Sequence, residues 1–384
     1  MNAFLLTAGG ALLLLFVVYD VYATILHARG RSGPLGETLY RTVWRLARAV
    51  ASRRTRVRGH HTLNAVGPVL LPLVLVAYIF LLVIAFAFIY LPRMPAQFVV
   101  APQSVTDPWL DSFYFSGITL ITVGYGDIAP HTPLMRVVAL FEGASGFALI
   151  SLGVTYLITV YSALERKRII ALSFYHQAEE GADAAGFIAH HFVAGRFYGL
   201  EAILRIAARD LQEMLEAHFE HPVIHFFHPV QVHKSFPRVL FLLLETCAVI
   251  RACLDEEAYS ELRDHPEVRT LEASGRHVLE QLVGALNLKP DKRVGHETPA
   301  AEVQRWRRRF ERTLKQLAAS GIETRRDVAA GWTSYRTRRE EWEAQLHAFA
   351  RFLGYGWEEI TGDRDPQGGR EEDQEAQPER TASG

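Results

Sequence analysis

The sequence predicts an all-α integral membrane protein with a re-entrant loop, followed by an all-helical soluble domain. Three observations lead there. Apolar residues in the 384-residue chain are concentrated before Leu164, in runs long enough to cross a ~30 Å hydrocarbon core. Beyond Arg168 apolar residues recur at helical spacing, as at Leu200, Ile203, Leu204, Ala207, Leu211 and Leu215. Between two of the apolar runs stands Thr122-Val123-Gly124-Tyr125-Gly126-Asp127, where Gly alternates with larger residues. Irregular backbone at membrane depth survives only where protein or a water-filled cavity surrounds it, so this loop lines a narrow path. The formal net charge of −1 argues for no particular partner.

Phe4 to Leu26 is the first span, interrupted by Asp20. No Lys or Arg precedes it, whereas nine Arg and one Glu lie between Arg29 and Arg58, which is the reverse of a secretory signal. The positive-inside rule puts that basic segment in the cytoplasm and the N-terminus outside. Within it, Tyr40, Val43, Trp44, Ala47 and Val50 share one helical face, opposite Arg41, Arg45 and Arg48. This predicts a helix lying on the inner leaflet. A voltage-sensing helix would require more companion spans than the single one present here. Asp20 lies within reach of the arginines, and a structural ion pair is expected.

Val66 to Tyr90 carries no charge and is the clearest span, ended by Pro92 and Pro95. Asp107-Pro108 combines an N-cap with a proline suited to the first helical position, opening a helix to about Leu120 that is too short to span. Such a helix enters halfway and returns through the glycine-alternating loop. Thr132-Pro133 repeats the signal and begins the last span, Leu134 to about Leu164, anchored by Arg166, Lys167 and Arg168.

Thr119-Leu120-Ile121-Thr122-Val123-Gly124-Tyr125-Gly126-Asp127 resembles the pore signature of potassium channels. The resemblance covers the membrane third of the chain. It implies that Thr122, Val123, Gly124 and Tyr125 offer carbonyl oxygens to the ion, with the Thr122 hydroxyl at the inner mouth and Gly126 turning the chain outward. The Tyr125 ring would brace this filter against the pore helix. Tyr114 and Phe115 stand where the family often has Trp, and Thr119 and Asp127 complete the support, Asp127 either tied by hydrogen bonds behind the filter, with Tyr114 as its partner, or facing the outer mouth. Ile118 stands where some members carry Glu, so inactivation that depends on that acid is not implied. One chain supplies one filter segment, and the resemblance implies four copies around an axis, a homotetramer.

The last span contains Gly143, Ala144, Ser145, Gly146, Ser151 and Gly153. By distance from the filter, Gly146 matches the gating hinge of similar channels, with close helix packing as the other reading. Phe147, Ile150 and Val154 follow at helical spacing and are candidates to line the cavity. Glu142 is read either as a cation-attracting group or strut behind the filter, or as a structural acid, neutral or hydrogen-bonded.

The soluble half reads as a helical bundle punctuated by Pro222, Pro229 and Pro237 and by Gly, Asn and Pro around Leu286 to Pro290. It shows no Gly-rich phosphate loop, cyclic-nucleotide β-roll, nucleophile motif or H-E-x-x-H. His218, His221, His225, His228 and His233 are expected to be ordinary histidines of a structured connection, since Pro222 and Pro229 break the helix that would gather them on a metal. Cys247 and Cys253 are expected in the core. The Arg305 to Lys315 stretch is read as a solvated or intersubunit helix face rather than a nucleic-acid surface.

The expected organisation is therefore a spanning helix (1–27), a basic interfacial segment (28–65), a pore domain (66–168), a cytoplasmic helical domain (169–360) and a disordered tail (361–384). The function expected is a multi-pass, potassium-selective channel of the plasma or inner membrane, with no catalytic activity, no cofactor beyond permeant K⁺ and no nucleic-acid partner. Membrane lipids surround it, and an unidentified ligand acting on the gate through the helical domain is a further candidate partner. A nonselective cation channel, or a receptor or enzyme working through its soluble domain, are the alternatives.

Overall fold

Helix α1 (Ala3–Val21) forms over the first apolar run and ends in a π-helical turn, Tyr22–Leu26. The computed structural model describes residues 3–27, 32–100, 107–178, 183–290 and 299–363. The chain divides into two compact units, Met1–Glu165 with Ala217–His228, and Arg166–Glu216 with Pro229–Gly384.

In the first unit, α2 (Pro34–Ala51) begins at a proline, and its free N-terminal amides are met by Asp20. Leu35 N and Gly36 N donate to the two carboxylate oxygens at 2.8 and 3.3 Å, and the Tyr78 hydroxyl donates at 2.7 Å. Asp20 therefore serves as a helix cap, because backbone amides at a helix start offer an anion partial positive charge; Arg29 and Arg31 of the Arg-rich segment expected to pair with it lie outside the described residues. Tyr40 and Trp44 are buried against Phe226, at 5.8 and 5.7 Å between ring centroids, while Arg45, Leu46 and Val50 are exposed. A second short helix, α3 (Arg56–Asn64), follows within the segment expected to be interfacial.

Helix α4 (Val66–Tyr90) spans the uncharged run. Strand β1 (Phe98–Val100), helix α5 (Pro108–Leu120), strand β2 (Ile128–Pro130) and helix α6 (Pro133–Gln177) follow. β1 and β2 pair antiparallel with Phe98 opposite Pro130 and Val100 opposite Ile128. Among the described residues three helices are long and apolar enough to cross a membrane, over Ala3–Leu26, within Val57–Arg93 and within Pro133–Gln177. α6 continues past the expected end near Leu164, since Arg166, Lys167 and Arg168 change polarity but break no helix.

The second unit holds the end of α6, then α7 (Ala184–His190), a hairpin of β3 (Phe192–Val193) and β4 (Arg196–Phe197), and most of α8 (Leu200–Glu220). Helices α9 (Phe236–Cys253), α10 (Ser260–Arg263), α11 (Pro266–Ala285), α12 (Pro299–Ala319), α13 (Val328–Leu353) and α14 (Trp357–Thr361) complete it. α9 is the core element, buried along its length except at Arg251, as suits a helix that is apolar on nearly every face. Cys247 and Cys253 are free and buried in it, and burial pushes both thiols up.

A buried ion network ties the bundle together. Arg339 donates to Glu245 at 2.6 Å and also binds Glu343, while the Tyr335 hydroxyl donates to Glu245 at 2.5 Å. Burial raises the Glu343 carboxyl, but Arg339 and Arg305 outweigh it and hold the group below the usual carboxylate range. Arg305 binds Glu343 at 2.8 Å, Arg309 binds Asp363 at 2.6 Å, and Trp306 and Phe310 are buried. Part of the basic stretch expected to be solvated is thus interior, because α12 turns an aromatic stripe and two of its arginines inward. Thr361 to Asp363, assigned to the tail, belong to this folded unit, and residues 364–384 lie outside the described residues.

Candidate functional site

α5 starts where Asp107 accepts a hydrogen bond from Trp109 N at 2.9 Å, with Pro108 opening the first turn. At its other end the chain doubles back. Thr122 N donates to Thr119 O at 3.1 Å, and Val123 N and Gly124 N both donate to Ile118 O, at 2.8 and 3.2 Å. Two amides on one carbonyl hold the loop tight against the end of the helix.

Beyond that anchor the backbone alternates in hand. Thr122, Gly124 and Gly126 have φ of 61°, 55° and 82°, with Val123 and Tyr125 between them. The two glycines adopt this conformation without a Cβ penalty. Thr122 has a Cβ and is held there by its neighbours, a form of strain that clusters at functional sites. Alternate handedness along a short segment lets consecutive peptide groups present their oxygens to one path, so the chemistry offered is a column of neutral dipoles suited to a bare cation.

Residues 121–126 are exposed in the single chain. Tyr125 is 73% exposed in the single chain. The last backbone bond to the helix is made by Gly124 N, and the chain has left the helix surface by residue 125. Tyr114 faces Asp127, whose Oδ1 is buried and makes no hydrogen bond among the described residues. Phe115 packs edge-on against Tyr90 and Phe98, at 5.1 and 5.2 Å, bracing α5 from the side of α4 and β1. Thr119 is half-buried and contributes its carbonyl to the turn.

Sequence reading missed the β1–β2 ladder, which joins the segment after Asp127 to the chain leaving α4. Three residues on each side are too few for alternation to show. The β-branched Val99, Val100 and Ile128 were the available signal.

Glu142 is fully buried, and its two oxygens lie 2.5 Å from Ser116 Oγ on α5 and 2.7 Å from the Tyr90 hydroxyl on α4. Its place is that of a strut joining three helices. Gly146, one turn further along α6, sits against the end of α5, where an added Cβ would overlap the Leu120 carbonyl oxygen. Close approach therefore requires glycine there, and α6 runs unbroken through it. Phe147, Ile150 and Val154 lie on exposed positions of α6.

The histidines do not gather into one site. His60 and His228 share a hydrogen bond of 2.7 Å, the His218 and His225 rings lie tilted to each other at 4.9 Å between centroids, and His221 lies edge-on to Tyr156. His233 stacks on Tyr175 within the second unit. Among the described residues no group of three or more His, Cys, Asp or Glu could hold a metal ion.

Comparison with known proteins adds three findings. A family model described as "Ion channel" matches residues 74–163. The uncharacterized membrane protein YdjJ of Bacillus subtilis is 30% identical over 250 residues, covering 65% of this chain and 70% of that protein. A match of that length exceeds the whole segment up to Arg168 and so takes in part of the second unit. Two pore potassium channel c of Oryza sativa subsp. japonica is 29% identical over 99 residues, 26% of this chain and 22% of that protein. The chain thus spans less than a quarter of the rice protein, and no solved structure matches it significantly.

Proposed function

The chain belongs to the potassium channel pore family, and from that premise we propose that it conducts K⁺ passively and selectively across the plasma or inner membrane as a homotetramer. In this reading the carbonyls of Thr122, Val123, Gly124 and Tyr125 replace the water around the ion. The Thr122 hydroxyl faces the inner mouth, and Gly126 and Asp127 lead outward. The observation that supports the reading most is the alternation of hand at Thr122, Gly124 and Gly126 on a segment anchored to the end of a half-length helix. A single chain supplies one such segment, and the exposed Val123 and Tyr125 await neighbouring copies.

The Arg-rich segment between α1 and α4 supports, by the positive-inside rule, an orientation with the N-terminus outside and the second unit in the cytoplasm. Gating would come from movement of α6 about Gly146, carried along a helix that continues to Gln177. Phe147, Ile150 and Val154 line the cavity below the filter, and the permeant ion is the only cofactor the chemistry needs.

The test is flux through purified protein in liposomes. K⁺ should exceed Na⁺ by at least about tenfold, equivalent to ~1.4 kcal/mol. Tyr125→Asp should abolish that preference while tetramers persist on gel filtration. Equal K⁺ and Na⁺ flux from the unaltered chain would instead make it a nonselective cation channel.

A further inference from the structure

Ala217–His228 comes out of the second unit, lies within the first, and passes back at Pro229. Three of its side chains fix it to elements that flank the pore. Phe226 packs on Tyr40 and Trp44 of α2, and the Phe227 ring fills a notch at Gly67 of α4, where an added Cβ would fall 2.5 Å from Phe227 Cγ. His228 shares its 2.7 Å hydrogen bond with His60 of α3. All three are at most 8% exposed, so they are wedged in rather than laid over a surface.

Two further contacts reach α6. The Tyr161 ring meets Phe227 edge-on at 6.3 Å between centroids, and Tyr156 meets His221 edge-on at 5.4 Å. Both tyrosines lie beyond Gly146, by about 15 and 22 Å along the helix at 1.5 Å per residue. A bend of ~10° about Gly146 would carry them sideways by roughly 3 and 4 Å. Opening a packed contact by ~1 Å already forfeits up to half of its attraction. The segment cannot follow such a movement, because Phe226, Phe227 and His228 hold it to α2, α4 and α3. Moving α6 therefore means releasing both contacts.

We propose that Ala217–His228 is a latch on α6, and that the second unit biases the gate by seating or lifting it. Both ends of the segment continue covalently into that unit, so a rearrangement there reaches His221 and Phe227 without travelling along α6. This is a second route beside the continuous helix. The hold on α6 rests on contacts within the first unit alone. Its bearing on conduction rests on the reading of α6 as the gate.

Tyr161 is the residue to change, because it is 41% exposed and its loss leaves the seat of the segment intact. In the full chain in liposomes, Tyr161→Ala should shift the open fraction about 5- to 10-fold without changing the melting temperature or the preference for K⁺ over Na⁺. Tyr161→Phe keeps the ring and should not shift it. Phe227→Leu should act in the same direction, and the double variant should go no further than the larger single effect, since both remove one contact. Additive effects, or an unmoved open fraction in Tyr161→Ala, overturn the latch. Slackening the exit with Gly-Ser-Gly between Val230 and Gln231 should move the open fraction toward that of Tyr161→Ala. If it does not, the second unit does not act through the segment. Hydrogen exchange needs no ion flux: amides of α6 beyond Gly146 should exchange at least about 3-fold faster in Tyr161→Ala than in the unaltered chain, and equal exchange also overturns the latch. Faster exchange in a protein that passes no ions would sink the conduction reading and leave the hold on α6 standing.

Discussion

At Glu142 the arithmetic of protons decides the role. Ser116 Oγ has one hydrogen, yet it lies 3.1 Å from Val83 O and 2.5 Å from Glu142 Oε1. The Tyr90 hydroxyl supplies a second hydrogen to the other carboxyl oxygen. If Ser116 donates to the Val83 carbonyl, the bond to Oε1 needs a proton carried by Glu142 itself, and a neutral acid is what a site sealed from water, with no cation partner among the described residues, favours. A glutamine offers the same donor and acceptor, whereas a leucine offers neither. Glu142→Gln should therefore keep the K⁺ flux and thermal stability of the unaltered chain. Glu142→Leu leaves the Tyr90 hydroxyl buried without its acceptor, at a cost of about 1–3 kcal/mol, and should lower the melting temperature in detergent. A loss of conductance in Glu142→Gln with stability intact would restore the cation-attracting role.

Between elements, the closest approach near the filter is that of α6 to α5 at Gly146. The atom an added Cβ would strike is the Leu120 carbonyl oxygen, which belongs to the end of the helix anchoring the filter and cannot swing aside. At Gly153 the atoms met are the tips of the Leu75 side chain. Gly146→Ala should accordingly reduce K⁺ flux strongly, by prying α5 from α6, while Gly153→Ala should be milder because Leu75 can change rotamer. Flux per tetramer, measured side by side, checks the order, and equal effects would refute it. These contacts also mark the limit of the sequence. The boundaries of α4 and α5 were legible, because Asp107-Pro108 and the uncharged run from Val66 to Tyr90 are local signals. The far end of α6 was not, since Arg166, Lys167 and Arg168 mark a change of solvent without stopping a helix. The re-entrant loop at Thr122 to Asp127 was legible as a motif, but Tyr90, Ser116 and Glu142 meet only through the fold, and nothing in their spacing pairs them.

For the whole molecule, the sequence suggests cutting after Arg168 to separate pore from regulator, and the division into units argues that this cut removes more than a regulator. Ala217–His228 belongs to the first unit, although most of its neighbours in sequence belong to the second. Phe226 packs on Tyr40 and Trp44, the Phe227 ring lies over Gly67 at the start of α4, and His228 shares its hydrogen bond with His60 on α3. A chain ending at Arg168 would expose that surface of α2, α3 and α4. We therefore expect the truncated pore to melt at a lower temperature than the full chain, and its altered open fraction to mix lost packing with lost control. The full-length Phe226→Ala variant separates the two. It removes an aromatic side chain from contact with two buried rings, worth about 3–5 kcal/mol, and leaves the second unit intact. If Phe226→Ala reproduces the lowered melting temperature but only part of the change in open fraction, the remainder belongs to the second unit acting along α6. If truncation and Phe226→Ala both leave the melting temperature unchanged, the returning segment is not part of the pore's own fold.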